Sequence, residues 1–369
     1  MKKKILILTA NFGAGHKAVS KAIEQHLLEH NCPYNITITD FVDASIPEMN
    51  EPMVKCYEYQ TKHFPVVYNT YYYYKKYMNS KYDKSYRIYL ENDNLEKYIQ
   101  KENPDLIIST FPHASACVSK FKELGSFNKK LITVITDVVV SNEWIHENTD
   151  LYFVPAQCIK NKLINKKIPE NKIVVTGIPV DNRFNEDAPK NFDNKIKMLF
   201  MGGGRGLFDM SDSFFYWLDS FISKNPDTIE ASIITGTNKE LFNKLSNTKP
   251  LKNISVYGFV SDMPSKLKEH NILVTKAGGA TLFESINSGT PVVVKKPDIG
   301  QEIANAKFIN RENIGFVYSK ERELKKIIKN IKNDEYTEKL NKLSSNIENL
   351  KTQLESNNMH KYIQQMINN

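Results

Sequence analysis

Hydrophobic positions in this chain fall into short solid runs separated by longer amphipathic stretches. In the first half the runs are Lys4–Ala10, Tyr34–Phe41, Asp105–Thr110, Leu131–Thr136, Asp150–Val154 and Lys172–Thr176. Between them, apolar residues recur three to five apart, as in Ala18, Ile23, Leu27 and Leu28, or across Pro112–Leu124. A solid run suits a strand buried on both faces of a parallel sheet, and the longer period suits a helix packed on it. The second half repeats the scheme with runs at Lys197–Met201, Ile229–Thr235, Ile254–Val260, Ile272–Val274, Thr290–Val294 and Phe316–Tyr318. Residues 321–369 carry spaced Leu and Ile and predict two or three helices. The fold class is therefore α/β, with two Rossmann-like, doubly wound domains. The expected domains span 1–182 and 196–345. The polar, Pro-containing stretch 183–195 is the expected linker, and 346–369 a terminal helix.

Three glycine-rich turns follow strands: Asn11–His16, Gly202–Gly206 and Lys276–Thr281. Glycines let backbone N–H groups approach an anion, and a following helix adds partial positive charge. Glu284 lies one turn into the helix after the third turn, where a carboxylate can accept from ribose hydroxyls. Gln301, Glu302 and Asn305 open the next helix with groups suited to sugar hydroxyls. These residues fit a nucleotide-sugar site. They fit equally an ordinary strand–helix–strand unit with a polar surface. His16 and Asp137 each sit where a strand runs out, the edge at which open α/β sheets bind ligands.

Two linked motifs narrow the choice. The stretch AGGATLFESINSGTPVVV (277–294) with PDIGQEIANAKF (297–308) resembles the donor signature of a glycosyltransferase family. That family includes bacterial diacylglycerol glucosyltransferases, plant monogalactosyldiacylglycerol synthases and the GlcNAc transferase of lipid II synthesis. Gly278, Gly279, Thr281, Glu284, Gly289 and Pro291 occupy the first pattern, and Pro297, Gly300, Gln301, Glu302 and Asn305 the second. Thr9–His16, TANFGAGH, is similar to the acceptor-side loop of the lipid glucosyltransferases. Thr136, Asp137, Trp144 and His146 match a further pattern, and Thr176–Pro179 a junction segment. One position departs: Ser141 stands where those relatives usually carry His.

The resemblance implies a GT-B arrangement, with the two domains facing a central cleft and the last helix crossing back to the first domain. It implies inverting transfer of a hexose, glucose before galactose, from UDP-glucose or a related UDP-hexose to diacylglycerol. It leaves open whether the product is itself an acceptor. His16 is the first candidate base and Asp137 its rival or partner; a phosphate contact is the other role open to His16. An unperturbed imidazole, pKa ~6.5, is largely neutral at cytoplasmic pH. Gly15, Gly203, Gly204, Gly278, Gly279 and Thr281 are assigned to the donor's phosphates, Phe259 and Val260 to its uracil. Glu284 is assigned to ribose, and Gln301, Glu302 and Asn305 to the sugar. Phe12, Trp144 and His146 fall on the acceptor side; core packing is equally open for Trp144. With no Asp-x-Asp motif at a strand end, neither a cofactor nor an obligatory metal is expected. Two alternatives stand: a transferase for a polyprenyl-linked peptidoglycan precursor, and a non-catalytic, membrane-associated UDP-sugar sensor.

Composition alters this picture in one place. The chain has 369 residues, 41% hydrophobic and 25% charged, as in ordinary globular domains. Its four cysteines are scattered without paired spacing, which excludes a disulfide framework or zinc ribbon as an expectation. No run reaches the length of a membrane span. The net charge of +8, however, is concentrated. Residues 53–90 hold eleven of the nineteen tyrosines, with Lys55, Lys62, Lys75, Lys76, Lys81, Lys84 and Arg87 against Glu58 and Asp83. Tyrosine has an apolar body and a polar tip, and lysine is drawn to anionic headgroups. The stretch, including Tyr72, Tyr73, Lys75 and Lys76, reads as a docking insert for anionic lipids at the cytoplasmic face of the cell membrane. A tyrosine-rich helix packed on its own domain also fits; nucleic acid is not expected.

Overall fold

In the computed structural model the described residues are 2–12, 14–64, 66, 69–70, 85–91, 93–185, 190–193, 195–208, 210–298, 300–331 and 333–368. They form two compact units: Met1–Asp181 with Ile299–Gln301 and Gln353–Asn369, and Asn182–Asp298 with Glu302–Thr352.

The first unit holds a parallel sheet of β1 (Lys4–Thr9), β2 (Asn35–Asp40), β3 (Leu106–Ser109), β4 (Lys130–Val134), β5 (Leu151–Val154) and β6 (Ile173–Val175). The order is β2-β1-β3-β4-β5-β6. After β2 the chain doubles back over β1 and lays β3 on its other side, so the winding reverses between β1 and β3. Ile5, Leu6, Ile7 and Leu8 are all fully buried, which is why β1 reads as a solid apolar run rather than an alternation.

The second unit repeats the design with β7 (Ile196–Met201), β8 (Ile229–Ile234), β9 (Ser255–Tyr257), β10 (Ile272–Thr275), β11 (Val292–Lys295) and β12 (Gly315–Tyr318), all parallel. The order is β12-β11-β10-β7-β8-β9, and the winding reverses between β7 and β10. Both units are thus Rossmann-like.

Several expectations need correction. The stretch 183–195 is not a free linker throughout. Phe192 is fully buried in the second core, and Lys190 Nζ donates to Leu267 O (3.2 Å) and Lys268 O (2.9 Å). A single aromatic anchor outweighed the polar composition around it. The terminal crossing begins later than 346: the helix Asp334–Lys351 buries Leu340 and Leu343 in the second core. From Gln353 onward the chain joins the first unit, where the helix Met359–Asn368 buries Met359, Ile363 and Ile367.

The segment 53–90 has no separate start either. A helix runs Pro47–His63, with proline in its first turn where a missing N–H costs nothing. At the far end Tyr89 is 3% exposed and packs on Phe41 at 4.5 Å between ring centroids, so this part is core and not docking surface. Tyr72, Tyr73, Lys75 and Lys76 lie outside the described residues.

Candidate functional site

Each unit places one cluster of predicted site residues at its topological switch point. In the first unit, β1 leads through Phe12 into the helix Ala14–Glu29, with Gly15 and His16 in its first turn. β3 ends at Ser109 and delivers Thr110 alongside. His16 Nδ1 lies 2.7 Å from the Thr110 carbonyl. A carbonyl only accepts, so Nδ1 carries the proton and Nε2 keeps its lone pair. Thr136 Oγ1 lies 3.3 Å from the same Nδ1. Asp137, the next residue, sits in a bend beyond β4, which ends at Val134, two residues earlier than the apolar run suggested.

The His16 ring keeps part of its surface accessible, yet dense protein around it desolvates the imidazolium. Burial pulls its pKa from 6.5 to about 4, against a smaller upward pull from the Thr110 carbonyl. The expectation of an unperturbed histidine is corrected accordingly. The ring is neutral throughout the physiological range and already presents an unprotonated nitrogen.

An aromatic wall flanks His16. Phe111 meets it edge-on at 5.5 Å, Phe12 stacks on Phe111 at 5.4 Å, and Tyr57 packs against Phe12 at 5.7 Å. Phe12 is half-buried there. Trp144, by contrast, is 3% exposed and belongs to the interior, which removes it from any lipid-facing surface. His146 is fixed by Tyr152, whose hydroxyl accepts from His146 N and donates to His146 O, both at 3.1 Å. Ser141 is buried and donates to Glu143 Oε1 at 2.7 Å, so the departing position has a structural partner of its own.

In the second unit, β7 runs into Gly202–Gly206 and β10 into Lys276–Gly278. Gly206 has φ +61°, and a Cβ there would lie 1.7 Å from Thr235 O, so only glycine closes this loop. Gly278 differs. Its φ is −75°, and a Cβ there would touch nothing within 4 Å. Nothing inside the protein requires glycine at 278; the space over it is open. Gly278 starts the helix Gly279–Asn287, and no side chain caps it. The first-turn amides of Gly279, Ala280 and Thr281 have no intrahelical partner, the first helical bond being Leu282 N to Gly278 O. Ser285, Ser288 and Thr290 close the other end: Thr290 N donates to Ser285 O (2.9 Å) and Ser288 Oγ to Thr290 Oγ1 (3.0 Å).

Lys276 is the residue the sequence reading passed over. In the sequence it is only the first residue of the glycine-rich turn Lys276–Thr281. Its Cε would lie 3.3 Å from a Cβ on Gly203, and its Nζ is 3.6 Å from Glu302 Oε1. A cation thus spans the two glycine turns at the switch point. Its apposition to Gly203 is a long-range contact that local pattern cannot show.

The remaining donor candidates divide. Glu284 is half-buried on the helix Gly279–Asn287. Glu302 is 17% exposed and paired with Lys276. Asn305 is fully buried, and its Nδ2 donates to Ala277 O at 2.9 Å. It holds the turn in place and is corrected from a sugar-facing residue to a positioning one. Gln301 clusters with the first unit, whereas Glu302 and Asn305 cluster with the second. The expected strand through Val260 stops at Tyr257; Phe259 is 70% exposed and Val260 half-buried beyond it. Gly204 O accepts from Thr237 N at 3.0 Å.

Comparison with known proteins bears on this arrangement. Residues 16–180 match the family model described as monogalactosyldiacylglycerol (MGDG) synthase, and residues 218–365 that of the glycosyltransferase family 28 C-terminal domain. A processive diacylglycerol beta-glucosyltransferase of Staphylococcus haemolyticus is 29% identical over 343 residues, 90% of this chain and 86% of that one. One from Bacillus pumilus is 29% identical over 368 residues, 94% and 91% of the two chains. Each half of the chain thus matches a glycosyltransferase domain model, and the chain as a whole is similar to the diacylglycerol glucosyltransferases. Among solved structures, MurG of Acinetobacter baumannii superposes with a TM-score of 0.62 at 12% identity, covering 100% of this chain and 99% of that one. At that identity the likeness speaks for the GT-B class of fold alone. The first model falls within the first unit, and the second covers most of the second unit and runs on into the terminal segment at residue 365. The first starts at His16 itself, and the second spans the Gly278–Asn305 cluster.

Proposed function

We propose that this glycosyltransferase moves a hexose, glucose in the first instance, from a UDP-sugar to diacylglycerol with inversion at the anomeric carbon. The observation that carries the donor half is the uncapped turn at Gly278. Open space lies over that glycine and no side chain caps the helix behind it, while the Lys276 side chain lies against Gly203 of the neighbouring turn; together these suit a diphosphate. The acceptor hydroxyl attacks the anomeric carbon, forming the new C–O bond as the bond to UDP breaks. His16 Nε2 takes the hydroxyl proton, with Asp137 as the alternative acceptor. The charge gathering on the leaving diphosphate is met by the amides of Gly279, Ala280 and Thr281 and by Lys276. We assign charge neutralisation to these groups and propose no obligatory metal. Glu284 takes ribose, and Gln301 and Glu302 take sugar hydroxyls.

The test is transfer of label from UDP-[14C]glucose to diacylglycerol in vesicles, with UDP-galactose and a polyprenyl-linked acceptor run in parallel. Labelled glucosyldiacylglycerol is the expected product, and species with two or more sugars would establish processivity. Label in the polyprenyl product alone would replace the acceptor. UDP binding with no labelled lipid would leave a sensor.

Gly278→Ala separates donor contact from folding. The side chain meets no protein atom, so Tm should hold within about 2 °C. The methyl would intrude on the diphosphate, and the donor KM should rise at least roughly tenfold. An unchanged KM would place the diphosphate elsewhere.

We further propose peripheral attachment at the cytoplasmic membrane face. Among the described residues no helix is long and apolar enough to cross a membrane. Along the helix from Pro47 and just after it, Met49 (40%), Tyr59 (57%), Phe64 (50%) and Val66 (76%) are exposed, ahead of the lysine-rich segment in sequence. Lys75→Glu with Lys76→Glu should lower binding to anionic vesicles roughly tenfold or more, with steep salt dependence. Equal partitioning of both proteins would remove the docking assignment.

A further inference from the structure

Three histidines meet at the opposite end of the helix that carries His16. His26 lies in its last turn and is 3% exposed; His30 follows four residues later and is exposed. His360 comes from the start of the terminal helix Met359–Asn368. One ring nitrogen from each lies within 4.8 Å of the other two. The rings of His30 and His360 stack at 3.8 Å, and those of His26 and His30 stand 4.3 Å apart.

Here the rings pack face to face; to share an ion they turn edge-on to it, with one nitrogen of each already within 4.8 Å of the others. His26 Nε2 lies 3.3 Å from His360 Nδ1 and also accepts from the His360 backbone N–H at 3.3 Å, a bond that an ion would replace. Two nitrogens each ~2.0–2.1 Å from a tetrahedral zinc ion stand about 3.3–3.4 Å from each other. His30 Nδ1 lies 2.8 Å from His26 O, so it carries the proton and leaves Nε2 with its lone pair. A backbone carbonyl fixing the tautomer in this way is the usual support of a metal-bound histidine. The i, i+4 spacing of His26 and His30 puts both on one helix face, at the end where the helix dipole favours a cation.

We propose that His26, His30 and His360 bind one zinc-type divalent ion, with water in the fourth position, and that the ion clamps the terminal helix onto the helix Ala14–Glu29. The ten residues from His16 to His26 span about 15 Å of helix, so the ion takes no part in transfer. The proposal is independent of the function assigned above.

The test uses full-length, tag-free protein stripped with EDTA and titrated with zinc by calorimetry. One ion per chain is expected, and zinc at a hundredfold excess over Kd should raise Tm by roughly 5 °C. Stoichiometric cobalt should give the visible absorption of a tetrahedral ion. His30→Ala removes an exposed ring and should weaken zinc binding at least tenfold with the zinc-free Tm unchanged; His360→Ala should do the same where circular dichroism shows it folded. Zinc affinity equal in wild type and His30→Ala, or no zinc-dependent rise in Tm, would overturn the clamp.

Discussion

His16→Asn is expected to lower kcat by ~1,000-fold while leaving UDP affinity within about threefold. The size follows from the loss of a positioned general base. Asparagine is the informative replacement because its amide retains a donor near the Nδ1 position. The Thr110 carbonyl, 2.7 Å from Nδ1, then stays hydrogen-bonded. Alanine would leave that acceptor unpaired, a penalty of about 1–3 kcal/mol that mixes stability with catalysis. If UDP affinity collapses instead of kcat, His16 is a phosphate ligand and the base is Asp137. The pH profile offers a second readout. The neutral ring is the active form, and burial has lowered its pKa to about 4. The kcat/KM contribution of His16 should therefore stay flat from pH 8 to about 5 and fall only as pH drops through about 4. An acid limb near 6.5 would mean an exposed, unperturbed imidazole. The same depression makes the folded state lose stability between pH 6.5 and about 4, because the unfolded chain binds the proton first.

Lys276→Ala is expected to lower kcat/KM for the donor by roughly 10- to 150-fold, the worth of one charge-assisted hydrogen bond of about 1.5–3 kcal/mol. The fold should not suffer. Lys276 is 42% exposed, and its 3.6 Å pair with Glu302 is of the surface kind that contributes little. Glu302→Gln separates the two partners. If Glu302 binds sugar hydroxyls, the variant loses donor affinity; if it only holds Lys276, the effect is small. Activity of Lys276→Ala within twofold of wild type would remove the ammonium from the diphosphate's surroundings. Arginine is not a safe substitute, since the longer fork would crowd Gly203, whose absent Cβ already stands 3.3 Å from Lys276 Cε.

The apolar runs located the twelve strands of the described residues within a few residues; ten are buried along most of their length and have few polar positions to blur the signal, whereas β2 and β9 are half-buried sheet edges. β9 shows the limit: the run continued to Val260, yet pairing stops at Tyr257 and Phe259 projects outward. The donor motif likewise identified a phosphate-type turn, since glycine spacing and helix start are local properties of sequence. Its reading of Asn305 failed for a nonlocal reason. An amide at a helix start looks ligand-facing until the carbonyl of Ala277 is seen to occupy it. Phe192 in a polar stretch misled similarly, and Trp144, open between lipid and core in the sequence, is core in the structure, because burial belongs to the packed state and not to the neighbouring residues.

The sequence by itself determined the α/β class, the two-unit design, the Gly278–Glu284 turn and His16 as a strand-end residue. Tertiary structure alone decided the strand order. That order sets the two winding reversals, β1 against β3 and β7 against β10, and so brings Thr110 to His16 and Lys276 to Gly203. The physical reason is range. Element type follows from a dozen consecutive residues, whereas which strands lie side by side depends on contacts between residues 94 and 73 positions apart, and on the burial that only those contacts create.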